Sequence, residues 1–161
     1  GEGEDAVRYR WSHAAVTVNL SDQSQNAGDA AGDEYVSVEN VIGTDTYSDN
    51  LTGDAGNNRL WGLGGDDALY GGEGRDYLFG GAGADHLDGG AGSDIAYYRT
   101  SDAGVTINLS EHTASGGHAN GDVLVNIESI EGSHYDDLLI GDSNNNALYA
   151  QNGLDRLYGG E

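Results

Sequence analysis

From residue 53 to residue 97 the chain repeats one order of polar and apolar positions every nine residues: GDAGNNRLW, GLGGDDALY, GGEGRDYLF, GGAGADHLD and GGAGSDIAY. Six mostly small or polar residues precede a trio whose middle member is apolar: Leu60, Leu69, Leu78, Leu87 and Ala96. A stretch rich in Gly and Asp cannot propagate a strand, but it makes a tight turn with positive φ at glycine. The trio x-apolar-x predicts a short strand whose central side chain points to one face. A less regular unit ending in Asp49 and Leu51 precedes the block, and the period returns over 132–158 as GSHYDDLLI, GDSNNNALY and AQNGLDRLY. Two nonapeptides per coil predict an all-β fold, a right-handed parallel β-roll (β-solenoid) with the apolar residues piled into a thin inner core.

A longer period contains the short one. DAVRYRWSHAAVTVNLSD from Asp5 matches DIAYYRTSDAGVTINLSE from Asp94, and 32–44 matches 121–133. The segments VTVNL, VTINL, YVSVENV and LVNIESI keep β character by alternation. The chain therefore reads as one continuous β-roll segment, 1–161, cut from a longer array. Within it, 1–8 end an upstream repeat block, 9–43 form a wider-coil insert and 44–97 the first nonapeptide block. A second insert covers 98–131, and a truncated second block covers 132–161. A separate small hairpin domain in each insert is the alternative. Asp33 and Asp122 end the insert loops at matching positions, where each is a ligand for a further ion or, the more common case, a solvated turn aspartate.

Composition sharpens the picture. Six basic residues, all Arg, face 28 acidic ones, for a formal net charge of −22. Such a chain repels nucleic acid and anionic lipid, which need Lys or Arg to neutralise phosphate. Cations are its natural partners, and no run approaches the length of a membrane span. The absence of Cys removes disulfides, cysteine zinc sites and thiol chemistry. Twenty-eight glycines are too many for helices, where each costs about 1 kcal/mol relative to Ala.

The acids carry the candidate chemistry. Position six of the nonapeptides holds Asn58, Asp67, Asp76, Asp85 and Asp94. Residues eighteen apart, such as Asp67 and Asp85, fall on the same edge of successive coils and would repel without a counter-ion. Layers about 4.8 Å apart place an ion midway at about 2.4 Å from each. That distance suits Ca²⁺–oxygen contacts of about 2.3–2.6 Å and exceeds the about 2.0–2.1 Å of Mg²⁺. Carboxylates and turn carbonyls are hard oxygen donors. The predicted cofactor is Ca²⁺, several ions held between stacked turns.

The pattern G-G-x-G-x-D-x-apolar-x of residues 71–79 and 80–88, and nearly of 89–97, resembles the calcium-binding repeat of RTX (repeats-in-toxin, haemolysin-type) proteins. The resemblance implies a parallel β-roll with ions bound by position-six side chains and carbonyls of the glycine turn. Carried onto this sequence, the side-chain ligands are Asp49, Asn58, Asp67, Asp76, Asp85, Asp94, Asp137, Asn146 and Asp155. The turn positions are Gly62, Gly64, Gly71, Glu73, Gly80, Ala82, Gly89 and Ala91. It also implies a secreted or cell-surface bacterial protein exported by a type I system. Asn58 and Asn146 lose a charge, Tyr135 stands where a turn wants Gly, and AQNGLDRLY lacks two glycines. The strongest sites are therefore expected over 62–94.

Catalytic signals are weak, and the segment reads as non-catalytic. His112 and His118 share a loop with Glu111, but zinc sites want tighter spacing or a third defined ligand. No G-x-S-x-G elbow and no complete G-x-G-x-x-G exists. The acid pair Asp66–Asp67 is better explained by ion ligation than by glycosidase chemistry. Trp61 and Phe79 take the same outward position on coils eighteen residues apart, with Tyr77 on that face. Outward aromatics cover strand backbone, or they stack on sugar rings. Two functions follow: a calcium-folded structural, interaction and secretion-assisting module, or a calcium-dependent polysaccharide-binding module attached to a carbohydrate-active enzyme, for example an alginate-modifying one, or to an adhesin. Its partners are then calcium, neighbouring repeats of the same chain and, in the second case, a glycan.

Overall fold

The computed structural model describes residues 3–160. Gly1 and Glu2, at the start of the expected upstream block, and Glu161, at the end of the expected second block, lie outside the described residues. In chain order the strands are β1 (Ala6–Arg8), β2 (Thr17–Asn19), β3 (Asn40–Ile42), β4 (Asn50–Thr52), β5 (Arg59–Gly64), β6 (Ala68–Gly74), β7 (Tyr77–Ala82) and β8 (His86–Gly92). They continue as β9 (Ile95–Tyr97), β10 (Thr106–Asn108), β11 (Thr113–Ser115), β12 (Val123–Val125), β13 (Ser129–Glu131), β14 (Leu138–Ile140), β15 (Ala147–Tyr149) and β16 (Arg156–Tyr158). Three single 3₁₀ turns sit in the inserts, and no α-helix occurs among the described residues.

The strands alternate between two faces. One face is a seven-stranded sheet in the order β1-β3-β5-β7-β9-β13-β15. The other is divided into a five-stranded sheet, β12-β8-β6-β4-β2, and a four-stranded sheet, β11-β10-β14-β16. All pairs between named strands are parallel except β10 with β11. The register advances one coil per eighteen residues: Arg59 faces Tyr77, which faces Ile95, while Asn50 faces Ala68, which faces His86. This is the stacked parallel β-roll that the nine-residue period implies.

The central residue of each trio turns inward. Leu60, Leu78 and Ala96 from the first face meet Leu51, Leu69 and Leu87 from the second, and all six are fully buried. Val18, Val41, Ile107, Leu124, Ile130 and Leu139 extend the same cluster through the inserts and the second block. At the far end Leu157 is half exposed. Between coils the turns close by glycine geometry. Gly72, Gly81 and Gly90 share a positive φ (108°, 106° and 88°), a region that side chains with a Cβ avoid. Leu63 takes the same place at φ 79°.

The inserts dock onto the repeats. β2 lies on β4 and β3 on β5; β12 lies on β8, β10 on β14, and β13 between β9 and β15. Residues 98–131 thus add one strand to the first face but two parallel strands and one antiparallel strand to the second.

Candidate metal sites along the coil edges

Each strand is preceded by the residue that ends a turn, and strand register lines these residues up. Along the edge of the seven-stranded sheet the row runs Asp5, Glu39, Asn58, Asp76, Asp94, Glu128 and Asn146. Along the second face it runs Val16, Asp49, Asp67, Asp85 and Asp122, then separately Val105, Asp137 and Asp155. An acid or amide at each place keeps the first row continuous. The second row is divided with its sheet, and Val16 and Val105 stand at an end of each part.

Neighbouring carboxylates in a row do not simply face one another. The backbone N–H of Asp67 donates to Oδ1 of Asp85 at 2.9 Å, and that of Asp76 to Oδ1 of Asp94 at 2.8 Å. Asp49 N–H reaches Oδ1 of Asp67 and Asn58 N–H reaches Oδ1 of Asp76, both at 2.7 Å. Each coil thus hangs a main-chain donor on the acid of the next. The repulsion expected between stacked acids is partly relieved, because one oxygen of each carboxylate accepts a hydrogen bond.

The second oxygen is different. Oδ2 of Asp67, Asp76, Asp85 and Asp94 is buried with no hydrogen-bond partner. Buried polar atoms are almost always paired, and an unpaired carboxylate oxygen is costly. Burial pushes these four carboxyls up to about 7, 6, 8 and 6 respectively, against opposing hydrogen bonds from the preceding coil. Neighbouring carboxylates add to the shift, Asp122 for Asp85 and Glu128 for Asp94 among them. Groups under this strain take up a proton or a cation.

The first glycine of each nonapeptide leaves room beside that oxygen. A methyl on Gly62 would come within 3.0 Å of Asp67 Oδ2 and of the Gly80 carbonyl oxygen. One on Gly71 would do the same to Asp76 Oδ2 and the Gly89 carbonyl. Gly80 crowds Asp85 Oδ2, and Gly89 crowds Asp94 Oδ2 together with the carbonyl of Asn126. At Gly62, Gly71 and Gly89 a bare Cα therefore opens a small cradle lined by one carboxylate oxygen and a carbonyl oxygen from the next coil. Hard oxygen donors at one layer spacing fit calcium. Among the described residues no three His, Asp or Glu side chains converge on one point, so an ion here would depend on backbone carbonyls around single acids.

The other sequence-predicted ligands fall into three groups. Gly64 pairs with Ala82 and Glu73 with Ala91 in adjacent coils, so the third turn positions are in register. Asp49 and Asp137 have both oxygens engaged: Asp49 by the N–H groups of Val16 and Thr44, Asp137 by those of Val105 and Ser133 and by the Ser133 hydroxyl. Oδ1 of Asn58 and of Asn146 accepts an N–H from its own turn, from Asp54 and Asp142, while Oδ1 of Asp155 accepts Asp137 N–H.

Three acids in the rows carry no nonapeptide signature. Asp122, expected as a solvated turn residue, is 2% exposed and accepts the N–H of Asp85 at 2.8 Å. Its burial pushes its carboxyl up to about 6. Glu39 and Glu128 accept the N–H groups of Asp5 and Asp94 at 2.9 and 2.8 Å. The signal for them is present in the chain, since Glu39-Asn-Val-Ile-Gly43 and Glu128-Ser-Ile-Glu-Gly132 repeat the order acid-x-apolar-x-Gly without the glycine-rich lead. Asp33, the counterpart of Asp122, is exposed and accepts the Tyr9 hydroxyl.

The aromatic and histidine candidates resolve as well. Trp61 and Phe79 stack at 4.7 Å with 14° between planes, and Phe79 meets Tyr97 at 4.5 Å. Trp61 and Phe79 thus cover one face of each other, and Tyr97 leans against Phe79 at 48°. Tyr77 sits under the guanidinium groups of Arg59 and Arg75, 5.4 and 5.7 Å from its ring centre. Nδ1 of His112 is 2.7 Å from the Leu124 carbonyl, and His118 opens its backbone to Ser101.

The family model described as the RTX calcium-binding nonapeptide repeat (4 copies) matches residues 43–78, 62–96 and 131–161, just over half of the chain. No match was found among curated proteins.

Proposed function

From its membership of the RTX calcium-binding nonapeptide repeat family, we propose that this chain is a module of a secreted bacterial protein, one that folds on meeting calcium outside the cell. RTX repeats bind Ca²⁺ between turns, and the chain is a calcium-binding β-roll whose repeats are structural rather than catalytic. Proteins with these repeats are typically secreted. No helix among the described residues is long and apolar enough to cross a membrane.

The observation that carries the proposal is the set of four partnerless carboxylate oxygens at Asp67, Asp76, Asp85 and Asp94. We assign these four as side-chain ligands, with carbonyls of the glycine turns completing each site. With a formal charge of −22 and no ion, the acid rows repel and the thin core cannot hold the coils. In low calcium the chain stays open and exportable. Extracellular calcium modules bind with Kd of about 10⁻⁴–10⁻³ M, and because no site exists in the open chain, binding energy becomes folding energy. The docking of β2 on β4 and of β12 on β8 supports reading the inserts as parts of one continuous roll.

Circular dichroism at pH 8, first in chelator and then with calcium, tests this. Disorder in chelator and a β spectrum on addition of calcium are expected; a β spectrum unchanged by chelator would reject the proposal. Asp76→Ala and Asp85→Ala should each raise the calcium midpoint. Asp22→Ala, on an exposed loop turn where it binds Ser24 and Gln25, should not.

The observation favouring the second reading, polysaccharide binding, is a cavity of about 470 Å³ lined by Trp61, Phe79, Tyr97, Thr100 and His118. Retention on polysaccharide columns in calcium, lost in Trp61→Ala, is its test. Phe79 is occupied on both sides by Trp61 and Tyr97, which weighs toward the structural role.

A further inference from the structure

Residues 97–130 lie outside the stretches matched to the repeat family. Yet the row of acids on the seven-stranded sheet runs straight through them, and its last partnerless oxygen, Asp94 Oδ2, is on a fully buried residue that faces not a nonapeptide but this insert. In repeat-to-repeat cradles, the carbonyl of Gly80 stands opposite Asp67 and that of Gly89 opposite Asp76. Opposite Asp94, the carbonyl of Asn126 takes that place, crowding the same side of Gly89. Glu128 then supplies the rung, accepting Asp94 N–H at 2.8 Å as Asp94 accepts that of Asp76.

The backbone is shaped for this. Asn126 has φ 50°, a left-handed conformation that Asn tolerates better than most residues. Its side chain is tied to Asp88 across the gap by a 2.8 Å hydrogen bond from Nδ2 to Oδ1. The first insert repeats the device: Ser37, two residues before Glu39, has φ 54°, and Glu39 accepts Asp5 N–H. A left-handed residue two places before a row glutamate in both copies argues against accident of a single loop.

We infer that the insert completes a calcium site of its own, formed by Asp94 Oδ2, the Asn126 carbonyl and the Glu128 rung, so that the ion row of this edge crosses the insert without a break. The inference rests on calcium binding by the repeats. The opposite edge behaves differently: there the rung after Asp85 is Asp122, whose Oδ2 already accepts the Tyr98 hydroxyl.

Crystals of the full chain grown in calcium, with anomalous density recorded for Ca²⁺ or a lanthanide substitute, decide the matter without any substitution. A peak about 2.3–2.6 Å from both Asp94 Oδ2 and the Asn126 carbonyl is expected. Peaks between the nonapeptides with none beside Asn126 would overturn the inference and leave the calcium-binding repeats standing. No peak anywhere would overturn both. In solution, Glu128→Gln should bind one calcium fewer per chain than the unsubstituted protein at a concentration that just saturates the latter. A full complement in that variant would also overturn it.

Discussion

Tyr98 donates its hydroxyl to Oδ2 of Asp122 at 2.8 Å, the very oxygen that lacks a partner in Asp67, Asp76, Asp85 and Asp94. A phenol thus does on one rung what the proposed ion would do on its neighbours. Burial holds the Tyr98 phenol well above its ordinary value, so it remains a donor. Tyr9 and Asp33 form the same pair in the first copy.

Tyr98→Phe keeps the ring and deletes the donor. It should leave a buried carboxylate oxygen unpaired and lower the stability of the calcium-loaded chain by about 1–3 kcal/mol. Denaturant unfolding in saturating calcium measures this, and an unchanged midpoint would show the pair to be idle.

Gly71→Ala should block a cradle rather than strain the backbone, since its Cβ would come within 3.0 Å of Asp76 Oδ2 and of the Gly89 carbonyl oxygen. The calcium midpoint should rise and one ion per chain should be lost. Gly159→Ala, whose Cβ meets nothing within 4 Å, is the control and should titrate like the unsubstituted chain.

Protons should substitute in part for calcium. The carboxyls of Asp76 and Asp94 are raised to about 6, Asp67 to about 7 and Asp85 to about 8, from 3.8 in the open chain. A folded-state value above the unfolded one means that the fold binds the extra proton, so its contribution is complete below about pH 4 and is lost as pH rises through 6 to 8. In chelator, β structure should therefore be greatest near pH 4–5 and decline toward pH 8. Calcium affinity should rise over the same window, with protons released on binding. Chelated chain equally disordered at pH 4.5 and pH 8 would contradict this.

In the aromatic column Phe79 touches two rings, Trp61 and Tyr97, whereas each of those meets one ring of the column. Aromatic pairs are worth about 0.5–1.5 kcal/mol beyond their burial. Phe79→Leu should therefore lower the thermal midpoint in calcium more than Tyr97→Leu does. The reverse order would mean that the column contributes little.

Much of this architecture is legible in the chain. Leu51, Leu60, Leu69, Leu78 and Leu87 announce the inward positions by spacing alone, and the position-six acids announce the edges. Less legible is what occupies each carboxylate. Asp49 and Asp67 look alike in sequence, but Thr44 and Val16 claim the oxygens of Asp49 while Asp67 keeps one free. That difference depends on which N–H the neighbouring coil brings, a tertiary fact. The burial of Asp122 and the place of Glu128 in its row are less legible because the inserts reach the acid-x-apolar-x geometry without a glycine-rich turn before it. The aromatic spacing likewise located Trp61 and Phe79 side by side, without indicating that each would cover the other's face.

The unequal edges have a mechanical consequence. The seven-stranded face is laced along its whole length, while the opposite face is split into two sheets and loses its acids at Val16 and Val105. The laced side is the spine, and the second insert is the crease. Under load, bending is expected to concentrate at that crease, where the second face carries no strand pairing across. A longer series of such units would then flex at fixed intervals, like a folding rule rather than a rod.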